Sequence, residues 1–132
     1  MDSSRVQAAR TLYAAFNNHD IPGILALLDP AVEWDSFGPD FALAVGTYKG
    51  RDGVAQFFKD LMTQQTDTEF TPMEFCDCGA TVHCMGIEKG TLNDSKLAFL
   101  NHWDHTLWFN DGNPLVVKFR ANYQLSTKGD PA

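Results

Sequence analysis

The chain has 132 residues, 44% of them hydrophobic, which suits one compact domain with its own core and makes a second domain unexpected. Ten Lys and Arg against 17 Asp and Glu give a formal charge of −7, which repels phosphate backbones and anionic lipid, so nucleic acid and membrane surfaces are disfavoured and a neutral or cationic small ligand fits better. No apolar run approaches the roughly 20 residues of a membrane span, and Met1-Asp2-Ser3-Ser4-Arg5 lacks the apolar stretch of a secretory signal, which places the chain in the cytoplasm.

From Ser3 to Asn18, Val6, Ala9, Leu12, Tyr13 and Phe16 recur at three- and four-residue steps, the stripe of an amphipathic helix with a serine cap. Asp20 before Ile21-Pro22 caps a short second helix carrying Ile24, Leu25, Leu27 and Leu28, which Asp29-Pro30 ends. Val32-Glu33-Trp34-Asp35 alternates like a strand. Ser36 to Val45 then mixes Gly, Pro and Asp with Phe37, Phe41 and Leu43, an irregular segment expected to pack over something. After a short strand or turn at Gly46–Gly50, Arg51-Asp52-Gly53 opens a third helix with a buried stripe of Val54, Phe57, Phe58, Leu61 and Met62. Beyond Asp67 the period becomes two, and strands are predicted at Glu69–Cys76, Thr81–Gly90, Lys96–Phe109 and Leu115–Leu125, separated by turn residues. Helices first and antiparallel strands second make an α+β domain with the helices on one face of a curved sheet. The domain is expected to span 1–126, with 127–132 a loose tail.

Cys76, Cys78 and Cys84 cannot all pair within the chain, so they read as reduced, buried thiols on a strand's inner face. The Cys76-Asp77-Cys78 step is not a zinc spacing, and no metal is expected. Ten Phe, three Trp and three Tyr exceed what a core of this size needs and suit the lining of an apolar pocket.

Taken in order, Leu12-Tyr13-Ala14-Ala15-Phe16 with Asp20, Leu27-Leu28-Asp29-Pro30 leading to Val32-Glu33-Trp34, Gly46 to Val54 with Phe57-Phe58, and Trp103-Asp104-His105 followed by Phe109 and Asp111-Gly112 resemble the nuclear transport factor 2-like, or ketosteroid isomerase-like, superfamily, and within it the SnoaL-like polyketide cyclase-type proteins. The resemblance implies a cone: a bent antiparallel sheet around three helices with an apolar cavity at the wide end. Its members include isomerases, dehydratases, epoxide hydrolases, cyclases and non-catalytic binding domains, many of them dimers through the outer sheet surface. It thus implies a small apolar metabolite as ligand, a homodimer, and cofactor-independent isomerase, cyclase or lyase chemistry, with a non-catalytic binding or dimerisation domain as the alternative.

Strand parity puts Asn101, Trp103, His105 and Leu107 on one face, and the resemblance turns that face toward the cavity. His105 then stands where the isomerases carry an acidic oxyanion-binding residue. An imidazole with an unperturbed pKa of about 6.5 can donate or accept there, or it can simply brace the sheet. The isomerases' catalytic aspartate falls on Trp34, with Asp35 one residue on; Asp35 would serve as base only if the strand breaks and turns it inward. The isomerases' oxyanion tyrosine falls on Leu12, with Tyr13 about 100° around the helix. The cyclases' last-strand acid falls on Phe119. The expected site is therefore His105 and Asp35 as catalytic residues, with Tyr13, Phe16, Trp34, Phe57 and Trp103 against the ligand. Glu88 shares parity with Val82 and Cys84 but, beside Lys89-Gly90-Thr91, is expected to reach solvent at the strand end. His83 and His102 fall on the outer face, and Gly50-Arg51-Asp52-Gly53 reads as ordinary capping rather than an anion cradle.

Overall fold

The structure is a computed structural model and describes residues 2–38 and 44–127. Helix α1 (Ser4–Asn17) starts where the Ser3 hydroxyl accepts the Val6 amide, and it buries Val6, Ala9, Leu12 and Tyr13. His19, at φ 57°, turns the chain into α2 (Ile21–Leu25), whose Asp20 cap accepts the Gly23 amide at 2.9 Å. Strand β1 (Leu28–Phe37) and β2 (Gly46–Lys49) form a hairpin, and α3 (Gly50–Gln64) runs directly into β3 (Gln65–Asp77). Three long strands complete the chain: β4 (Thr81–Leu92), β5 (Ala98–Phe109) and β6 (Val116–Thr127).

All six strands form one curved, unclosed sheet in the order β2-β1-β6-β5-β4-β3. Helix α3 packs on β1, β2 and β3, while α1 packs on β3 and β4, so the helices cover the face onto which Val82, Cys84, Trp103, His105, Leu107 and Phe119 project. The architecture is the expected α+β arrangement of three helices against a curved sheet, with one correction. β1 pairs parallel to β6, so the sheet is mixed rather than antiparallel.

Local boundaries moved for identifiable reasons. The second helix ends at Leu25, and Leu28 already belongs to β1. Pro30, expected to stop the helix, sits in the stretch where the β1–β6 register shifts between Leu28 and Glu33, an irregularity that tolerates a missing amide. β3 begins at Gln65 rather than after Asp67. Asp67 has φ 52°, and the register with β4 shifts between Thr66 and Glu69, so a bulge hides the strand's start from a period-two reading. At the start of α3 no side chain caps the helix; Arg51 instead donates to the Leu28 carbonyl at 2.7 and 3.0 Å, tying α3 to β1. Only Cys84 of the three thiols is buried. Cys76 and Cys78 are exposed with their sulfurs 3.6 Å apart, because β3 is an edge strand whose end lies outside the helical cover. Phe37 is exposed, and Phe41 and Leu43 of the expected covering segment lie outside the described residues, as do 128–132 of the expected tail.

Candidate ligand-binding site

Between α1, α3 and the concave face of the sheet lies an apolar cavity. Its walls are mostly rings, among them Phe16, Trp34, Phe57, Phe58, Phe70 and Phe119. These rings are held by one another: Trp34 stacks on Phe119 at 3.8 Å, and Phe16 meets Phe70 edge-on at 4.9 Å. About 460 Å³ between them is free of atoms, yet the centre of a water molecule fits in only about 40 Å³ of it. The space is therefore a narrow slot, too tight in this conformation for a bulky guest.

Besides the Tyr123 phenol of β6, two positions break the apolar lining with hydrogen-bonding chemistry on the sheet side. At one, the Tyr13 hydroxyl from α1 meets His105 Nδ1 from β5 at 2.8 Å. His105 is packed against Trp103 at 4.2 Å and against Phe119 at 4.6 Å, and burial pulls its pKa down to about 3. The imidazole is thus neutral at physiological pH. Burial and the neighbouring Cys84 push Tyr13 well above the ordinary phenol range, so its hydroxyl keeps its proton. With the Tyr13 hydroxyl donating to Nδ1, the tautomer we assign to this pair, the imidazole proton sits on Nε2, which has no protein partner among the described residues. The pair therefore presents an N–H donor, fitted to an incoming carbonyl, ether or hydroxyl oxygen. Cys84, beside His105 in the β4–β5 register, is itself pushed up to about 11 by burial and stays a thiol.

The expected site residues divide by position. Tyr13, Phe16, Trp34, Phe57 and His105 line the slot. Trp103 lies behind it, its ring stacked against both His105 and Phe70, where it fixes the imidazole plane. Asp35 is not brought to His105. Strand β1 keeps its parity through Phe37, so Trp34 faces the slot and Asp35 the opposite side, where its buried carboxylate accepts from the Thr47 hydroxyl of β2 at 2.8 Å. The break that would have turned it inward does not occur, because Glu33–Phe37 is paired on both flanks, to β2 at Glu33–Ser36 and to β6 throughout. Tyr13, one position from the expected tyrosine site at Leu12, is the hydroxyl that reaches the histidine; both residues line the slot, since adjacent helical positions share the broad buried face of α1.

The second polar position is Glu88, which the sequence reading sent to solvent. It is 3% exposed and lines the slot. Parity with Val82 and Cys84 was the correct signal. The error lay in the strand's length: β4 continues to Leu92 and pairs there with Gln65 and Thr66, so Glu88 sits inside the sheet under the end of α3. Burial pushes its carboxyl up to about 7, opposed by Gln65, whose amide donates to Oε2 at 3.2 Å, and by nearby Asn101. Neither amide atom of Asn101, itself 1% exposed, has a partner in hydrogen-bond geometry, nor does Gln65 Oε1.

A curved sheet sheltering an aromatic slot with a few polar groups defines a small-molecule-pocket protein of the nuclear transport factor 2-like class. Residues 9–132 match the SnoaL-like domain family, and the chain belongs to it. No curated protein matches in sequence. Among solved structures, an NTF2-like protein of unknown function from Burkholderia pseudomallei is 28% identical with a TM-score of 0.81 over 93% of this chain and 92% of its own. TerC, co-crystallised with polyporic acid, is 25% identical with a TM-score of 0.78 over 92% of both chains. A Mycobacterium tuberculosis protein in complex with estradiol-17β-hemisuccinate shares the fold at 16% identity, with a TM-score of 0.75 over 95% of this chain and 99% of its own. Among the described residues no helix is long and apolar enough to cross a membrane.

Proposed function

We propose that this chain binds a flat, mostly apolar, uncharged small molecule in the aromatic slot, with an oxygen of the ligand accepting a hydrogen bond from His105. The Tyr13–His105 hydrogen bond carries the reading. A neutral imidazole, oriented by a buried hydroxyl and stacked on Trp103, is a preorganised donor in an otherwise apolar cavity. The polyporic acid bound to TerC supports an aromatic or polyketide-like ligand, and a terpenoid of similar flatness fits the same walls. Cofactor-independent isomerase, cyclase or lyase chemistry is the catalytic form of this proposal, with His105 polarising a carbonyl or hydroxyl. A non-catalytic binding domain is the second reading. It is favoured by the position of Asp35, since without a carboxylate on the imidazole His105 donates but is a poor base. The proposal extends to a cytoplasmic homodimer joined through the outer sheet face, where His83, Met85 and His102 are exposed.

A thermal-shift screen of neutral aromatic ketones and phenols tests the binding reading. A ligand of the folded state raises Tm with concentration by mass action. The gain should vanish in His105→Ala and shrink in Tyr13→Phe. Hits that ignore both substitutions, or a screen without hits, would remove the reading.

A further inference from the structure

The slot has a second polar end. In the β4–β5 register Cys84 stands beside His105 and Glu88 beside Asn101, so the two polar positions are four residues apart along both strands, a separation of about 13 Å between backbones. Between them the lining is aromatic and aliphatic. Glu88 Oε2 accepts from the Gln65 amide and Asn101 lies beside the carboxyl, while among the described residues Gln65 Oε1 and both amide atoms of Asn101 are buried without a partner in good hydrogen-bond geometry. Leaving such groups unmatched is costly, and a buried carboxylate contributes little to stability that an apolar residue of similar volume would not. A stabilising core would not assemble them; a recognition site would.

We propose that Glu88, Gln65 and Asn101 form a second polar subsite of the slot, which takes a phenolic or enolic hydroxyl at the far end of an elongated, flat ligand. The proposal rests on the reading of the slot as a ligand site with His105 at its other end. The hydroxyl donates to Glu88, the one of the three that lines the slot, while Gln65 and Asn101 behind it hold the carboxyl in place. With side chains leaning in from both ends, the spacing suits a ligand about two aromatic rings long. The subsite thus selects for molecules oxygenated at both ends, where His105 alone would select only for one.

The test compares biphenyl carrying a para hydroxyl on each ring with biphenyl carrying a single para hydroxyl, titrated against the quenching of tryptophan fluorescence. The diol is expected to bind about tenfold more tightly than the mono-ol, the worth of one buried hydrogen bond. In Glu88→Leu and in Asn101→Leu, each checked for folding by near-UV circular dichroism, that preference should fall to within about twofold. Because a leucine for a buried carboxylate preserves apolar packing, Asn101→Leu serves as the independent route should Glu88→Leu not fold. Equal binding of the two probes to the native chain, or a diol preference that survives in the variants, overturns the subsite. A mono-ol that binds and is weakened by His105→Ala, with no advantage for the diol, leaves the slot reading standing and removes only this inference. Failure of both probes to bind removes both.

Discussion

Glu88 and His105 make opposite demands on pH, and replacing one exposes the other. A carboxyl raised from 4.5 to about 7 holds its proton in the folded chain where the unfolded chain has lost it. Its contribution to stability is therefore present below about pH 4.5 and is lost as pH rises through 7, a loss of about 3 kcal/mol at 1.36 kcal/mol per unit. A histidine lowered from 6.5 to about 3 behaves in reverse. It stays neutral in the folded chain while the unfolded chain takes up a proton, so its contribution is present above about pH 6.5 and is lost as pH falls toward 3. Between about pH 4.5 and 6.5 the folded chain holds one extra proton on Glu88 and lacks one on His105, and the two slopes cancel. The native unfolding free energy should thus vary little from these two groups across that window. Glu88→Gln removes one slope and leaves the other: its stability should fall on acidification from pH 6.5, and relative to native it should gain about 3 kcal/mol between pH 4 and pH 8. Urea denaturation of both chains across that range measures the difference directly, and subtraction removes every carboxylate the two share. A difference constant to within about 0.5 kcal/mol would place Glu88 in contact with water and refute the buried carboxyl.

Three further substitutions probe the packing around the slot. Thr47→Val strips the Asp35 carboxylate of its hydroxyl donor and should cost about 1–3 kcal/mol in chemical denaturation without changing ligand affinity, since Asp35 faces away from the slot; an affinity change would contradict that orientation. Gly86→Ala would drive a methyl into the Thr71 carbonyl and the Trp103 ring, and should destabilise by about 1–3 kcal/mol and weaken ligand binding by tilting the ring on which His105 stacks; a neutral substitution would show the β3–β4 contact to be looser than described. Phe16, half-buried at the end of α1 and part of the slot wall, narrows the slot, so Phe16→Ala should raise the association rate of the biphenyl mono-ol in stopped-flow fluorescence. An unchanged rate would locate the route into the slot elsewhere.

The uneven legibility of this fold has a physical pattern. Periodicity read well where an element has one wet and one dry face, although Met62, expected in the buried stripe of α3, is exposed. The α1 stripe of Val6, Ala9, Leu12 and Tyr13 is buried as spaced, and β4 and β5 alternate without interruption from Val82 to Phe109 on the cavity side. It misread element ends, because Gln65, Asp67 and Pro30 sit at bulges and register shifts whose pairing partners are remote in sequence. The parallel β1–β6 pairing was invisible for the same reason: strand direction is set by the path of α3 and β2 between them, which no local pattern encodes.

The two site residues that changed places show what local reasoning weighs wrongly. Asp35 was moved inward in expectation because a histidine in a pocket invites a carboxylate partner; Glu88 was moved outward because a carboxylate near Lys89 and Gly90 invites solvent. Both departures overrode strand parity with chemical plausibility, and in both cases parity prevailed, since reversing one side chain in a strand paired on both flanks would disrupt two ladders. The result is a slot whose single carboxylate among its lining residues lies four residues along the sheet from its histidine rather than beside it. A carboxylate beside the imidazole would raise its basicity and favour proton abstraction. One at the far end leaves the imidazole a donor and, in the proposed two-ended site, gives a ligand two separate anchors whose spacing would select for its length.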